Sequence, residues 1–162
     1  MIGLFYDEFV VGRVIELGTY TFDDDNIYRF SAAFTPVGFH LDATKAEQGL
    51  FGRKAAAGFH ICCGWMTSFV ATNTSERQRL AESGKLLPEV GPSPGVRNVR
   101  WPNPVHPGDA VVYRMTFTAK RELASRAAWG MVSMHADGHK ADGTKIMSFD
   151  GNVLVAKRVR TS

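Results

Sequence analysis

The sequence predicts an α+β fold: one long buried helix followed by a run of antiparallel strands that form a sheet around it. Three observations carry this. The stretch Phe59-His60-Ile61-Cys62-Cys63-Gly64-Trp65-Met66-Thr67-Ser68-Phe69-Val70-Ala71 is apolar on nearly every face, and such a helix is normally buried within its own domain. Further on, the period changes. Val111, Tyr113, Met115, Phe117 and Ala119 alternate with Val112, Arg114, Thr116 and Thr118, the pattern of a half-buried strand. Finally, 162 residues that are 44% hydrophobic and 22% charged suffice for a single domain, 1–162, with one substantial core and no disordered bias.

In chain order, residues 10–22 read as a strand around Gly12 and Gly18. Asp23 then precedes Ile27, Phe30 and Phe34 at helical spacing, so it reads as the N-cap of a helix that ends near Phe34. Pro36 disfavours helical geometry at Thr35, and Gly38 loosens the chain again, so residues 35–40 form a loop. Asp42 reads as the cap of a short helix over 43–48 that Gly49 stops, with a catalytic role the less favoured alternative. The buried helix starts at Gly58 and ends before Asn73-Thr74-Ser75, and the charged segment 75–84 is able to extend it as an exposed helix. Residues 86–95, with Pro88, Pro92 and Pro94, form a connecting loop. Strands follow over 96–101, 111–119, 127–135 and 145–157, with a turn at Asp142-Gly143, giving an antiparallel meander packed on the helix.

Composition excludes several function classes. The first ten residues lack a basic region followed by a cleavable apolar run, and no apolar stretch reaches the roughly 18 residues that a membrane span needs. The two cysteines, Cys62 and Cys63, are adjacent on a helix, about 100° apart, where a structural disulfide is implausible. They read as core residues of a reduced, cytoplasmic protein. Net charge is +3, but Lys and Arg are scattered and form no basic stripe, so no nucleic-acid partner is expected. No zinc-ligand spacing, phosphate-cradling glycine loop or G-x-S-x-G elbow occurs, and no metal or cofactor is implied.

Two stretches carry a family resemblance. Phe34-Thr35-Pro36-Val37-Gly38-Phe39-His40-Leu41-Asp42 resembles Y-D-P-Q-P-F-H-x-D, and residues 51–60, F-G-R-K-A-A-A-G-F-H, resemble F-G-x-x-x-A-S-G-W-H. Both patterns are those of the MaoC-like dehydratases and (R)-specific enoyl-CoA hydratases of the hot-dog-fold family. Arg100-Trp101-Pro102-Asn103-Pro104-Val105-His106-Pro107-Gly108-Asp109 is similar to the family's R-W-x-x-P-V-x-P-G-D, and Glu122-Leu123-Ala124-Ser125-Arg126 to its R-x-S-R region. The resemblance covers roughly residues 10–157. It implies a hot-dog fold, a substrate that is an acyl thioester of coenzyme A or of an acyl carrier, and a homodimer or a multiple of one.

Hydrating an enoyl thioester requires a group that takes a proton from water, control of protonation at the α carbon, and donors for the thioester enolate. The resemblance implies that an aspartate and a histidine five residues apart supply the first two. The histidine is His40. The aspartate position is Thr35, whose hydroxyl is no base near neutral pH, and the polar residue between them is Val37. An imidazole alone is able to act as acid or base, and the alternative for His40 is a packing role. Gly58 is the implied oxyanion donor through its backbone N–H, with tight packing as the alternative. The resemblance places Val37, Phe39, Ala57, Phe59 and His60 along the bound substrate, although a buried, hydrogen-bonded His60 is the favoured reading. Three functions compete: an (R)-specific hydratase or dehydratase, a non-catalytic acyl-thioester binder, and a thioesterase. The last is disfavoured because residues 59–75 contain no Asp or Glu.

Overall fold

The computed structural model describes residues 2–158, so both ends of the expected 1–162 domain lie outside the described residues. Strand β1 (Val14–Phe22) is followed by helix α1 (Asp24–Phe34), the short helices α2 (Gly38–Leu41) and α3 (Ala43–Glu47), and the long helix α4 (Gly58–Glu82). Strands β2 (Val96–Arg100), β3 (Asp109–Glu122), β4 (Trp129–His139) and β5 (Lys145–Ala156) complete the order. The fold is α+β, with α4 packed on a five-stranded antiparallel sheet in the order β1-β3-β4-β5-β2.

Local chemistry explains the helix starts. The Asp23 carboxylate accepts the Asn26 N–H at 2.7 Å and the Asp42 carboxylate accepts that of Lys45 at 3.0 Å, so each satisfies one of the donors a helix N-terminus leaves free. The turn at Asp142-Gly143 places Gly143 at φ +84°, a conformation that favours glycine.

Three expectations are corrected. First, α4 does not end before Asn73 but runs unbroken to Glu82. Asn73 serves as a tertiary contact instead of a terminator, its side chain accepting the Ile2 N–H at 2.6 Å, and Thr72 beside it donates to the Leu17 carbonyl at 3.0 Å. Second, the helix is not buried on every face. Ile61, Gly64, Trp65 and Ser68 are buried, while Phe59, Met66 and Val70 are exposed, because the sheet covers one side of the helix only. Third, β2 does not lead a simple meander into β3. It pairs with β5 at the far edge of the sheet, and residues 101–108 cross back beneath the start of α4 to reach β3.

The helix seats on the sheet through one close approach. Trp65 packs edge-on against Phe149 at 4.9 Å, and the Tyr113 hydroxyl donates to the Ile61 carbonyl at 2.8 Å. A Cβ at Gly64 would lie 2.8 Å from that hydroxyl and 3.0 Å from Phe22. Gly64→Ala is therefore expected to destabilise the fold by about 1–3 kcal/mol through overpacking, where an unhindered helix position would gain about 1 kcal/mol. Urea unfolding of the two proteins measures the sign.

Candidate functional site

The site lies where α1, α2, α4 and the 101–108 crossing meet. Thr35 is the C-cap of α1, its N–H bonded to the Ser31 carbonyl at 2.9 Å. The next residues do not form an open loop as expected. They close into the single helical turn α2, with Val37 as N-cap, which turns His40 inward until it is 8% exposed. The His40 Nδ1 lies 2.6 Å from the Ala55 carbonyl oxygen. A carbonyl only accepts, so Nδ1 carries the proton and the lone pair of the neutral ring is on Nε2.

The segment before α4 is held from both sides. The Ala55 N–H donates to the Phe39 carbonyl at 3.4 Å, and the Ala56 N–H donates to Val105 at 2.7 Å. Ala57 caps α4 without a side-chain bond. The Ile61 N–H makes the first bond of the helix, to the Ala57 carbonyl at 3.1 Å, leaving the N–H groups of Gly58, Phe59 and His60 without intrahelical partners. Free donors and the helix dipole favour negative charge at this point.

A cavity of about 530 Å³ opens here, lined by Thr35, His40, Ala57, Gly58 and Phe59 together with Phe30, Phe34, Cys63 and Trp101. No charged side chain lines it among the described residues. A second cavity of about 280 Å³, lined by Phe39, Phe51 and Ile61 among others, shares His40, Gly58 and Trp101 with the first. Among the described residues no Asp or Glu of the subunit pairs with His40, and no group of three His, Cys, Asp or Glu side chains is placed to hold a metal. No helix of the described residues is long and apolar enough to cross a membrane.

No family model and no curated protein matches the chain. Solved structures do. A MaoC-like dehydratase from Rhodospirillum rubrum matches with a TM-score of 0.81 and 27% identity, over 97% of this chain and 99% of that one. The chain has a MaoC-like hot-dog fold. An R-hydratase from Pseudomonas aeruginosa matches at 0.64 and 17% identity, over 99% of this chain and 92% of that one. A conserved hypothetical protein from Mycobacterium tuberculosis with a double hot-dog fold matches at 0.74 and 12% identity, over 99% of this chain and 46% of that one.

Within this MaoC-like frame, Thr35, His40, Ala57, Gly58 and Phe59 come together, and Phe39 lines the adjoining cavity. Val37 does not join them: its side chain is exposed and lines neither cavity. His60 also lies outside the lining. It is buried, but it is not hydrogen-bonded as expected, because its Nδ1 has no protein partner. Its ring stacks on Phe30 at 4.6 Å and meets the edges of Phe22 and Tyr20, none of which offers Nδ1 a hydrogen bond. The cysteines are corrected too. Cys62 is half-buried, its thiol pushed up by burial and held down in part by the Trp101 indole N–H, whereas Cys63 is exposed and lines the cleft. Sequence reasoning read Phe30 and Phe34 only as apolar positions of a helix and gave Trp101 no site role. Their i, i+4 spacing placed both phenylalanines on one face of α1, but not against which element.

Burial pushes the His60 pKa down to about 4, against a weaker opposing effect of Asp23. The folded state then binds fewer protons than the unfolded chain between pH 6.5 and 4. Stability from this residue is full above about pH 6.5 and is lost as pH falls toward 4, by at most about 3 kcal/mol. His60→Phe, which keeps the stack on Phe30, should flatten the decline of urea midpoints across that window.

Proposed function

We propose that this chain is an (R)-specific hydratase or dehydratase of enoyl thioesters carried by coenzyme A or an acyl carrier, with His40 as the acid–base residue of its cleft. The observation that carries this reading is the 2.6 Å contact between His40 Nδ1 and the Ala55 carbonyl, which leaves Nε2 as a base beside the free N–H groups of α4.

Nε2 takes a proton from water as the oxygen bonds to the β carbon. The electrons of the double bond move toward the thioester oxygen, and the enolate charge is met by the Gly58 N–H. The imidazolium returns the proton to the α carbon, so His40 ends as it began and water has added across one face. Thr35 hydrogen-bonds the water without taking its proton, and Ala57 and Phe59 hold the thioester against the helix start. Phe39 lines the deeper end; Val37 and His60 support the loop and the helix. No cofactor or metal takes part.

Assembly as a homodimer, or a multiple of one, completes this reading. The sheet ends at β1 and β2, with an unpaired edge on each side within the subunit, and α4 leaves Phe59 69% exposed. The double hot-dog neighbour supports a second unit beside the first. The adjacent, unbridged cysteines fit a cytoplasmic setting.

That no Asp or Glu among the described residues pairs with His40 favours a second reading, a non-catalytic acyl-thioester binder. Distance disfavours the thioesterase reading, since the first carboxylate of α4, Glu76, lies about 27 Å along the helix from Gly58.

Positioned acid–base groups contribute about 10²–10⁴-fold each, so crotonyl-CoA hydration, followed by loss of enoyl-thioester absorbance, should be slow in the natural protein. It should fall at least about 10²-fold in His40→Ala and rise in Thr35→Asp, a gain that His40→Ala removes. Fast turnover that ignores His40→Ala puts the chemistry elsewhere. Silence in all variants with acyl-CoA still bound selects the binder.

A further inference from the structure

Three residues line both cavities: His40, Gly58 and Trp101. They are the partition between a chamber of about 530 Å³ and one of about 280 Å³. Of the three, Gly58 has no side chain and His40 is tied to the Ala55 carbonyl. The partition is therefore closed by the Trp101 indole.

The indole is held against the start of α4, although Trp101 as a whole is 39% exposed. A Cβ at Gly58 would come within 2.6 Å of its Cδ2 and 2.7 Å of its Cε2, so glycine at the helix start is what lets the ring lie against the backbone. The Phe59 ring meets it edge-on at 5.3 Å. Trp101 follows directly on β2, which is tied to β5, and Pro102 and Pro104 stiffen the chain beyond it. The wall is thus a fixed feature of the site.

On its other side the smaller chamber is lined mostly by apolar residues, Phe39, Phe51 and Ile61 among them, with Asn103 also in the lining, and it suits hydrocarbon. The larger chamber, with Phe34 and Phe59 exposed beside it, has the greater volume for a carrier arm. A thioester entering there, with its reacting carbons at His40 and Gly58, points its acyl end at the indole.

We propose that Trp101 is a specificity-determining residue whose indole closes the smaller chamber and restricts the site to short acyl chains, of about four carbons. This rests on the reading of the cleft as an enoyl-thioester site. A short chain ends in front of the ring, whereas an eight-carbon chain has to pass it. Removing the ring joins the chambers, and each added methylene then gains burial where it formerly met the wall.

The test is the ratio of kcat/KM for trans-2-octenoyl-CoA to that for crotonyl-CoA in wild type, Trp101→Phe and Trp101→Ala. Circular dichroism and urea midpoints identify which variants are folded. The ratio should be below one in wild type, rise at least about 10-fold in Trp101→Ala and rise less in Trp101→Phe. If turnover is too slow to measure, calorimetric affinities for octanoyl-CoA and butanoyl-CoA give the same ratio. A wild type that already prefers eight carbons, or an unchanged ratio in a folded variant, overturns the gate and leaves the thioester reading standing. Neither turnover nor binding at any chain length overturns the thioester reading, and the gate falls with it.

Discussion

The Tyr113 hydroxyl donates to the Ile61 carbonyl at 2.8 Å, and the placement of the cleft follows from that bond. Ile61 lies one turn into α4, so fixing its carbonyl fixes the free N–H groups at Gly58, Phe59 and His60. The phenol is fully buried, and burial pushes its pKa far above the usual range, so it remains a donor at any working pH. Two glycines make room for it. A Cβ at Gly64 would sit 2.8 Å from the hydroxyl, and one at Gly138 would sit 2.7 Å from the ring. A sheet residue flanked by missing side chains thus brings helix and sheet close enough for a direct bond, and the N-terminal end of the helix inherits its precision from there.

Among the described residues, no Asp, Glu, Lys or Arg lines the cleft at that end. A histidine whose Nδ1–H meets a carboxylate has its imidazolium form stabilised by an ion pair; one that meets a carbonyl is oriented as well but gains only a dipole. His40 is of the second kind. On the proposed reading, an imidazolium formed in the apolar cleft has as its counter-ion the substrate's own enolate, held at the α4 N-terminus. The two charges arise together and disappear together. A site built this way keeps acid–base function with one residue, but it lacks the separate group that a carboxylate at position 35 would provide.

What was legible in the sequence was what short-range chemistry decides. Asp23 and Asp42 cap their helices because an Asp oxygen reaches an N–H three residues on. The alternation of 111–119 gave β3 because the pleat alone puts Val111, Tyr113, Met115 and Phe117 on one face. The resemblance carried His40, Thr35 and Gly58 to one cleft. Illegible were features set by what an element meets later. Asn73 looks like a helix terminator until Ile2 arrives as its partner. Phe59 and Cys63 look like core in a helix apolar all round, but the sheet reaches only the Ile61 and Trp65 side. Trp101 becomes part of the site only because β2 pairs at the far edge and its exit crosses beneath Gly58.

The polar atoms left without protein partners follow the same geography. Among the described residues, the buried side-chain atoms with none are Asn26 Oδ1, Ser31 Oγ and His60 Nδ1. The first two belong to α1 and the third to the first turn of α4. Each such group costs about 1–3 kcal/mol where nothing compensates its lost hydration. Among the described residues, α1 and the first turn of α4 therefore hold the buried side-chain atoms that lack protein partners, while Tyr113 and Trp65 anchor the other side of α4 by hydrogen bonds to backbone carbonyls. Phe30 links this region and the cleft directly, stacking on His60 with one face of its surroundings and lining the cavity with another. Local rules are broken mostly where function demands it. Here the sheet side of α4 is built for position, and the α1 side accepts unpaired polar groups next to an apolar cavity.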